Sequence, residues 1–197
     1  MIYSNPSIAL LHQFVYTLNI HMHEISMHFD SEDDTNNPAD NKKSATTAFQ
    51  IQSLTSCLSS IHKTIDLITS LDMHYMLSLP TIVLARTSYA AVSLMKLFSF
   101  VASHKDDIGQ VLDPASLKVE YYLDNVIEYY RKAGELEGGR TATRFSLVLS
   151  MMRNWFVKRR EQTATADTNE AVGTKVRIRS LNIHVFQYTD PLHTEAK

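Results

Sequence analysis

The sequence predicts an all-α fold, a multi-helix bundle of about five helices, on three observations. Five glycines and five prolines among 197 residues are too few for the tight turns an all-β fold requires. Hydrophobic residues make up 44% and charged residues 20%, which supplies enough apolar material for a buried core. Those apolar residues recur at steps of three and four along extended segments, which is the period of an α-helix.

The first helix is expected from Ser7, a capping residue after Pro6, to Phe29, with Ile8, Leu11, Val15, Leu18, Met22, Ile25 and Phe29 forming its core-facing stripe. Residues 30–43 change character: Asp30, Glu32, Asp33, Asp34 and Asp40 surround Asn36, Asn37 and Pro38, which predicts a solvated acidic loop. Ala45 to Leu71 carries Leu54, Leu58, Ile61, Ile65 and Ile68 in alternating steps of four and three. This is a heptad-like seam, read here as the contact face of a bundle helix.

Pro80 opens a helix to about Ser103, since proline suits the first turn, where its missing N–H is not needed. That segment is apolar on most sides and belongs in the middle of a bundle. Ala85, Ala90 and Ala91 allow close approach, while Arg86 and Lys96 are its only charges and need partners or an edge. Asp113-Pro114 is a cap followed by proline and starts a helix to about Glu135, with Leu117, Leu123, Val126, Ile127 and Tyr130 as its stripe. Gly138-Gly139 break it. Thr141 or Thr143 caps a last helix with Phe145, Val148, Leu149, Met152, Trp155 and Phe156 on one face. The domain is thus expected over residues 1–160, followed by a disordered tail at 161–197 in which Lys175 to Tyr188 alternates like a strand without a partner.

The net charge of −2 gives no global attraction to nucleic acid or anionic lipid. Arg153 with Lys158, Arg159 and Arg160 complements the helix dipole at a carboxy end and is short for a nucleic-acid patch. A single cysteine, Cys57, excludes an internal disulfide and any CxxC metal site, so a reduced intracellular protein is expected. It lies between Leu54 and Leu58, where a buried inert thiol is the ordinary outcome. No basic amino-terminal region and no apolar run of about 20 residues point to secretion or a membrane anchor.

His21, Glu24 and His28 are the candidate metal ligands, because helical spacing places them on one face, where three donors can hold zinc. The His23–His28 separation is not the HExxH spacing of metalloproteases, and a Glu24–His28 side-chain pair on a solvated face is the preferred reading. No nucleophile sits beside a base and no phosphate-binding glycine loop occurs, so no catalysis, catalytic residue or cofactor is expected. Arg86, Tyr89 and Lys96 are the polar groups of the central helix. They are read first as ties between helices and second as contacts for a small effector.

Several phrases together resemble the regulatory domain of fungal zinc-cluster transcription factors. LNIHMHEISMHFD (Leu18 to Asp30) resembles that domain's "iylhEialH" helix, and SLPTIVLARTSYAAVSLMKLF (Ser78 to Phe98) looks like its "LP…yvRvtYAlvvLlKL". YLDNVIEYYRKAGE (Tyr122 to Glu135) and RFSLVLSMMRNWFVKRR (Arg144 to Arg160), with Trp155-Phe156, are similar to its closing helices. The resemblance runs over about residues 10–160 in the family's order. It implies a nuclear, non-catalytic helical regulatory module in which Arg86, Tyr89, Lys96 and Trp155 are structural or regulatory positions. The six cysteines that hold two zinc ions in the family's DNA-binding cluster have no counterpart here. The chain is therefore expected to be a truncated member, the carboxy-terminal half of the domain, without direct DNA binding. A protein partner or self-association through exposed helix seams, or a small effector between helices, is the expected mode of action. An independent helical interaction module is the alternative, and a metal-binding protein using His21, Glu24 and His28 a third.

Overall fold

The computed structural model describes residues 6–28, 40–104 and 108–170, with the side chains of 7–28, 47–104 and 108–162. The chain divides into two units, residues 1–159 and 160–197. Everything below concerns the first unit, except that residues 160–170 of the second are helical.

Among the described residues the structure is all-α. The helices are α1 (Pro6–Glu24), α2 (Asp40–Thr69), α3 (Met73–Ser78), α4 (Thr81–Ser103), α5 (Ile108–Val111), α6 (Val119–Gly134) and α7 (Arg140–Glu170). Single 3-10 turns follow α1 at Ile25–His28 and precede α6 at Pro114–Leu117. The long members α1, α2, α4, α6 and α7 correspond to the expected helices; α3 and α5 are short additions.

Local chemistry places the ends. Asp72 caps α3 by accepting from the Tyr75 backbone N–H at 3.1 Å, and Pro80 is the cap residue of α4. Asp113 does cap a start, accepting from the Ala115 N–H at 2.9 Å. What it caps is the 3-10 turn rather than α6. Lys118, in the left-handed region at φ 49°, separates the two, so α6 begins at Val119. Gly139 allows the α6–α7 turn because a Cβ there would lie 2.2 Å from the Ala133 carbonyl oxygen. Gly138 takes φ 82°, where a side chain is costly.

The core lies between α2, α4 and α6. The seam of α2 buries Leu54, Ile61, Ile65 and Ile68, as its spacing predicts. Helix α4 is central, packing on α1, α2 and α6, and buries Val83, Leu84, Ala90, Ala91, Leu94, Leu97 and Val101. Its length and composition alone would let it cross a membrane, yet half of its most apolar stretch is buried inside the bundle. Helix α6 contributes Leu123, Val126 and Tyr130; Tyr130 OH donates to the Leu84 carbonyl at 3.1 Å, and Tyr129 OH to the Leu71 carbonyl at 3.0 Å. On α7, Leu149 and Phe156 are buried, and the Phe156 ring meets Phe98 edge-on at 5.1 Å.

Four expectations need correction. The α1 stripe points outward: Ile8, Leu11, Val15, Leu18, Met22 and Ile25 are all exposed, and Ala9, Gln13, Thr17, Ile20 and Glu24 face the bundle instead. Phe29 lies outside the described residues. Val148 and Trp155 of α7 are exposed rather than core, because the helix packs along a narrower line through Leu149 and Phe156. Residues 40–43, assigned to the acidic loop, belong to α2; the rest of that loop lies outside the described residues. Helix α7 reaches Glu170, so it enters the stretch expected as tail. The strand-like pattern at 175–188 lies outside the described residues.

A polar tie between α1 and α4 as the candidate functional site

The inward face of α1 carries Gln13, Thr17 and Glu24, and α4 meets the first and the last of them. Near the start, the Gln13 amide, fully buried, donates to the Val83 carbonyl at 2.9 Å and to Thr87 Oγ1 at 3.1 Å. One turn later Thr17 returns its hydroxyl to the Gln13 carbonyl at 2.7 Å. At the end of the helix Glu24, only 7% exposed, lies against α4. One carboxylate oxygen accepts from Lys96 Nζ at 2.7 Å, and the other accepts from the Tyr89 hydroxyl. The His21 ring stacks on Tyr89 with centroids 4.5 Å apart.

The electrostatics follow from this arrangement. Burial pushes the Glu24 carboxyl upward, but the hydrogen bonds from Lys96 and Tyr89, with the charges of Lys96 and His21, outweigh it and hold the group below its usual value of 4.5. Glu24 is therefore a carboxylate at neutral pH. Burial and the neighbouring carboxylate together push Tyr89 up to about 12. Cys57, on the α2 side, is also pushed up to about 12 by burial and by Glu24, so its thiol stays protonated and unreactive.

The sequence candidates are sorted by this geometry. Arg86, Tyr89 and Lys96 all turn toward α1: Arg86 lies over the Phe14 ring at 5.3 Å, and the other two hold Glu24. All three therefore make contacts from α4 to α1. Trp155 stands apart, 53% exposed with Arg159 over its ring at 5.4 Å. The trio His21, Glu24 and His28 does not come together. Helix α1 ends at Glu24, and His28 follows on a 3-10 turn, whose tighter winding breaks the four-residue spacing. Glu24 is buried against Lys96 while His28 is exposed. No group of three His, Cys, Asp or Glu side chains among the described residues is placed to hold a metal. The Glu24–His28 pair is corrected for the same reason: the partners of Glu24 lie on α4.

Sequence reasoning missed Gln13. A signal was present, since Gln13, Thr17, Ile20 and Glu24 recur at steps of four, three and four, a second stripe of helical period. It also missed His62 of α2, which stacks on Tyr122 at 4.0 Å and meets the Leu117 carbonyl through Nε2 at 3.1 Å. A carbonyl only accepts, so Nε2 carries the proton.

Compared with models of protein families, with curated proteins and with solved structures, the chain matches none of them.

Proposed function

We propose that this chain is a non-catalytic helical regulatory module of the kind found in fungal zinc-cluster transcription factors, acting in the nucleus through contact with protein. The observation that carries the reading is the outward apolar face of α1. Large side chains at Ile8, Leu11, Phe14, Val15, Leu18, Met22 and Ile25 stand in water, and an exposed patch of that size marks an interaction surface. The titratable groups around the α1–α4 tie suit a structural role. An acid–base catalyst works best with a pKa near neutrality, whereas Glu24 is held down and Tyr89 and Cys57 are pushed up to about 12. The resemblance over residues 10–160 supplies the transcriptional assignment, and the missing cysteine cluster assigns DNA binding to another chain or segment.

The test is a reporter assay. The full chain, inserted between a heterologous DNA-binding domain and an activation segment in a fungal cell, should change reporter output severalfold, and Leu11→Glu with Leu18→Glu should abolish that change. Output indifferent to both the chain and the substitutions would refute the regulatory reading. An independent interaction module, favoured by the same exposed face, predicts that indifference together with retained protein binding.

A further inference from the structure

The exposed residues of α1 have a spacing of their own. Ile8, Leu11, Val15, Leu18 and Met22 are separated by three, four, three and four residues, which is a heptad repeat, and Ile25 follows it on the 3-10 turn. That period marks a helix face able to pack against another helix. In heptad terms Ile8, Val15 and Met22 occupy the a positions, and Leu11 and Leu18 the d positions. The β-branched Ile8 and Val15 at a, with Leu11 and Leu18 at d, favour two parallel strands, and Met22 is the one a residue that is not β-branched.

We propose that two copies of this chain pair through α1, forming a short parallel coiled coil along this seam. The proposal rests on the reading of α1 as a protein contact face and names its occupant. Charge allows self-pairing: Glu24 is the only charged residue in α1 and is turned inward onto Lys96. The positions flanking the seam, Ser7, His12, Phe14, Asn19 and His21, therefore set no carboxylate or ammonium against its own image. A partner of strong charge finds no complement there.

The area is also sufficient. Seven side chains exposed by 43–61%, out of a surface on the order of 200 Å² each, offer about 700 Å² per copy, near the roughly 800 Å² per partner of a standard interface. Two heptads are too short to pair as free peptides, because each helix must first be nucleated. Here α1 is already held in helical form against α2 and α4 through Ile20, Gln13 and Glu24. Pairing then costs association and side-chain ordering only.

Sedimentation of the full chain over a concentration series reaching ~100 μM should give a monomer–dimer equilibrium. Leu18→Glu places a carboxylate against its mate in the seam and should weaken the dimer by about 100-fold. Helical content should be unchanged, since Leu18 is exposed in the monomer. Direction is read by cross-linking. Leu11→Cys should oxidise to a disulfide dimer, because parallel copies bring residue 11 onto itself; the buried Cys57 does not compete. A wild-type monomer throughout the series overturns self-pairing, while the reporter assay separately decides the regulatory reading. A dimer unaffected by Leu18→Glu overturns the choice of face. Cross-linking of a Leu11→Cys copy to a Met22→Cys copy in a mixture of the two variants, with none in Leu11→Cys alone, overturns the parallel arrangement, because antiparallel copies set a against d.

Discussion

Replacing Lys96 by Met tests the tie between α1 and α4 directly. The substitution keeps the aliphatic stem and removes the ammonium 2.7 Å from Glu24. Breaking a fully buried ion pair from one side costs about 3–5 kcal/mol, because the remaining charge is left without compensation. A fully exposed pair contributes about 0–1 kcal/mol. This pair lies between those limits, with the Glu24 side chain 9% exposed and that of Lys96 48%. The ammonium is half in water, so its removal should cost about 2 kcal/mol at pH 7. In a chain of this length that corresponds to a fall of about 4–8 °C in Tm. Glu24→Gln keeps an acceptor for Tyr89 and leaves Lys96 free to hydrate, and should cost about 1 kcal/mol. The double variant should be no worse than Lys96→Met alone, giving a coupling of at least about 1 kcal/mol in a double-mutant cycle. Urea unfolding of the four proteins supplies the numbers. A Lys96→Met variant within about 0.3 kcal/mol of wild type, or additive single effects, would refute the claim that this pair ties α1 to α4.

Acid should destabilise the protein in two windows. Burial lowers the pKa of His62 below 6.5 despite its bond to Leu117, so the unfolded chain binds more protons as pH falls through 6.5, and stability is lost from there downward. Glu24 is depressed below 4.5, and by the same sign its contribution is lost only below that value; a chemical-denaturation series across pH should show His62→Phe flattening the upper window alone. Gly139→Ala should cost about 2 kcal/mol or more by urea unfolding, since its Cβ would meet backbone at 2.2 Å that cannot move without breaking the α6–α7 turn.

Helix positions were legible where the sequence offers a single solution. The α2 seam has apolar residues on one line only, and Leu54, Ile61, Ile65 and Ile68 are buried as expected. Pro80, Asp113 and Gly138-Gly139 act locally, so their effects can be read without the rest of the fold. The start of α6 was misplaced for a tertiary reason: the left-handed residue is Lys118, and nothing in a lysine announces that conformation. On α7, Phe145, Val148, Leu149, Met152, Trp155 and Phe156 span too wide an arc for one contact line, and the sequence does not say which edge stays in water. Of the site, Tyr89 and Lys96 stood out as polar groups on an apolar helix. Their shared partner was read as a solvent-facing acid, because Glu24 sits beside three histidines in a stretch that reads as polar surface.

Helix α1 shows why an apolar stripe alone does not determine what is buried. Its two candidate faces compete for the same groove on α2 and α4. The apolar face would gain more from transfer out of water, but it would leave Tyr89 and Lys96 of α4 facing hydrocarbon, and buried polar groups without partners are costly. Glu24 instead accepts from both, from Lys96 Nζ at 2.7 Å and from the Tyr89 hydroxyl, while the Gln13 amide N–H reaches Val83 and Thr87 and Ala9 and Ile20 fill the packing space. Polar complementarity thus orients the helix, and the heptad seam is displayed as a consequence. The two features are therefore linked: a substitution that disrupts Glu24 should loosen α1 and weaken whatever binds its outer face, whereas a substitution in the seam should abolish binding and leave the Glu24 tie intact.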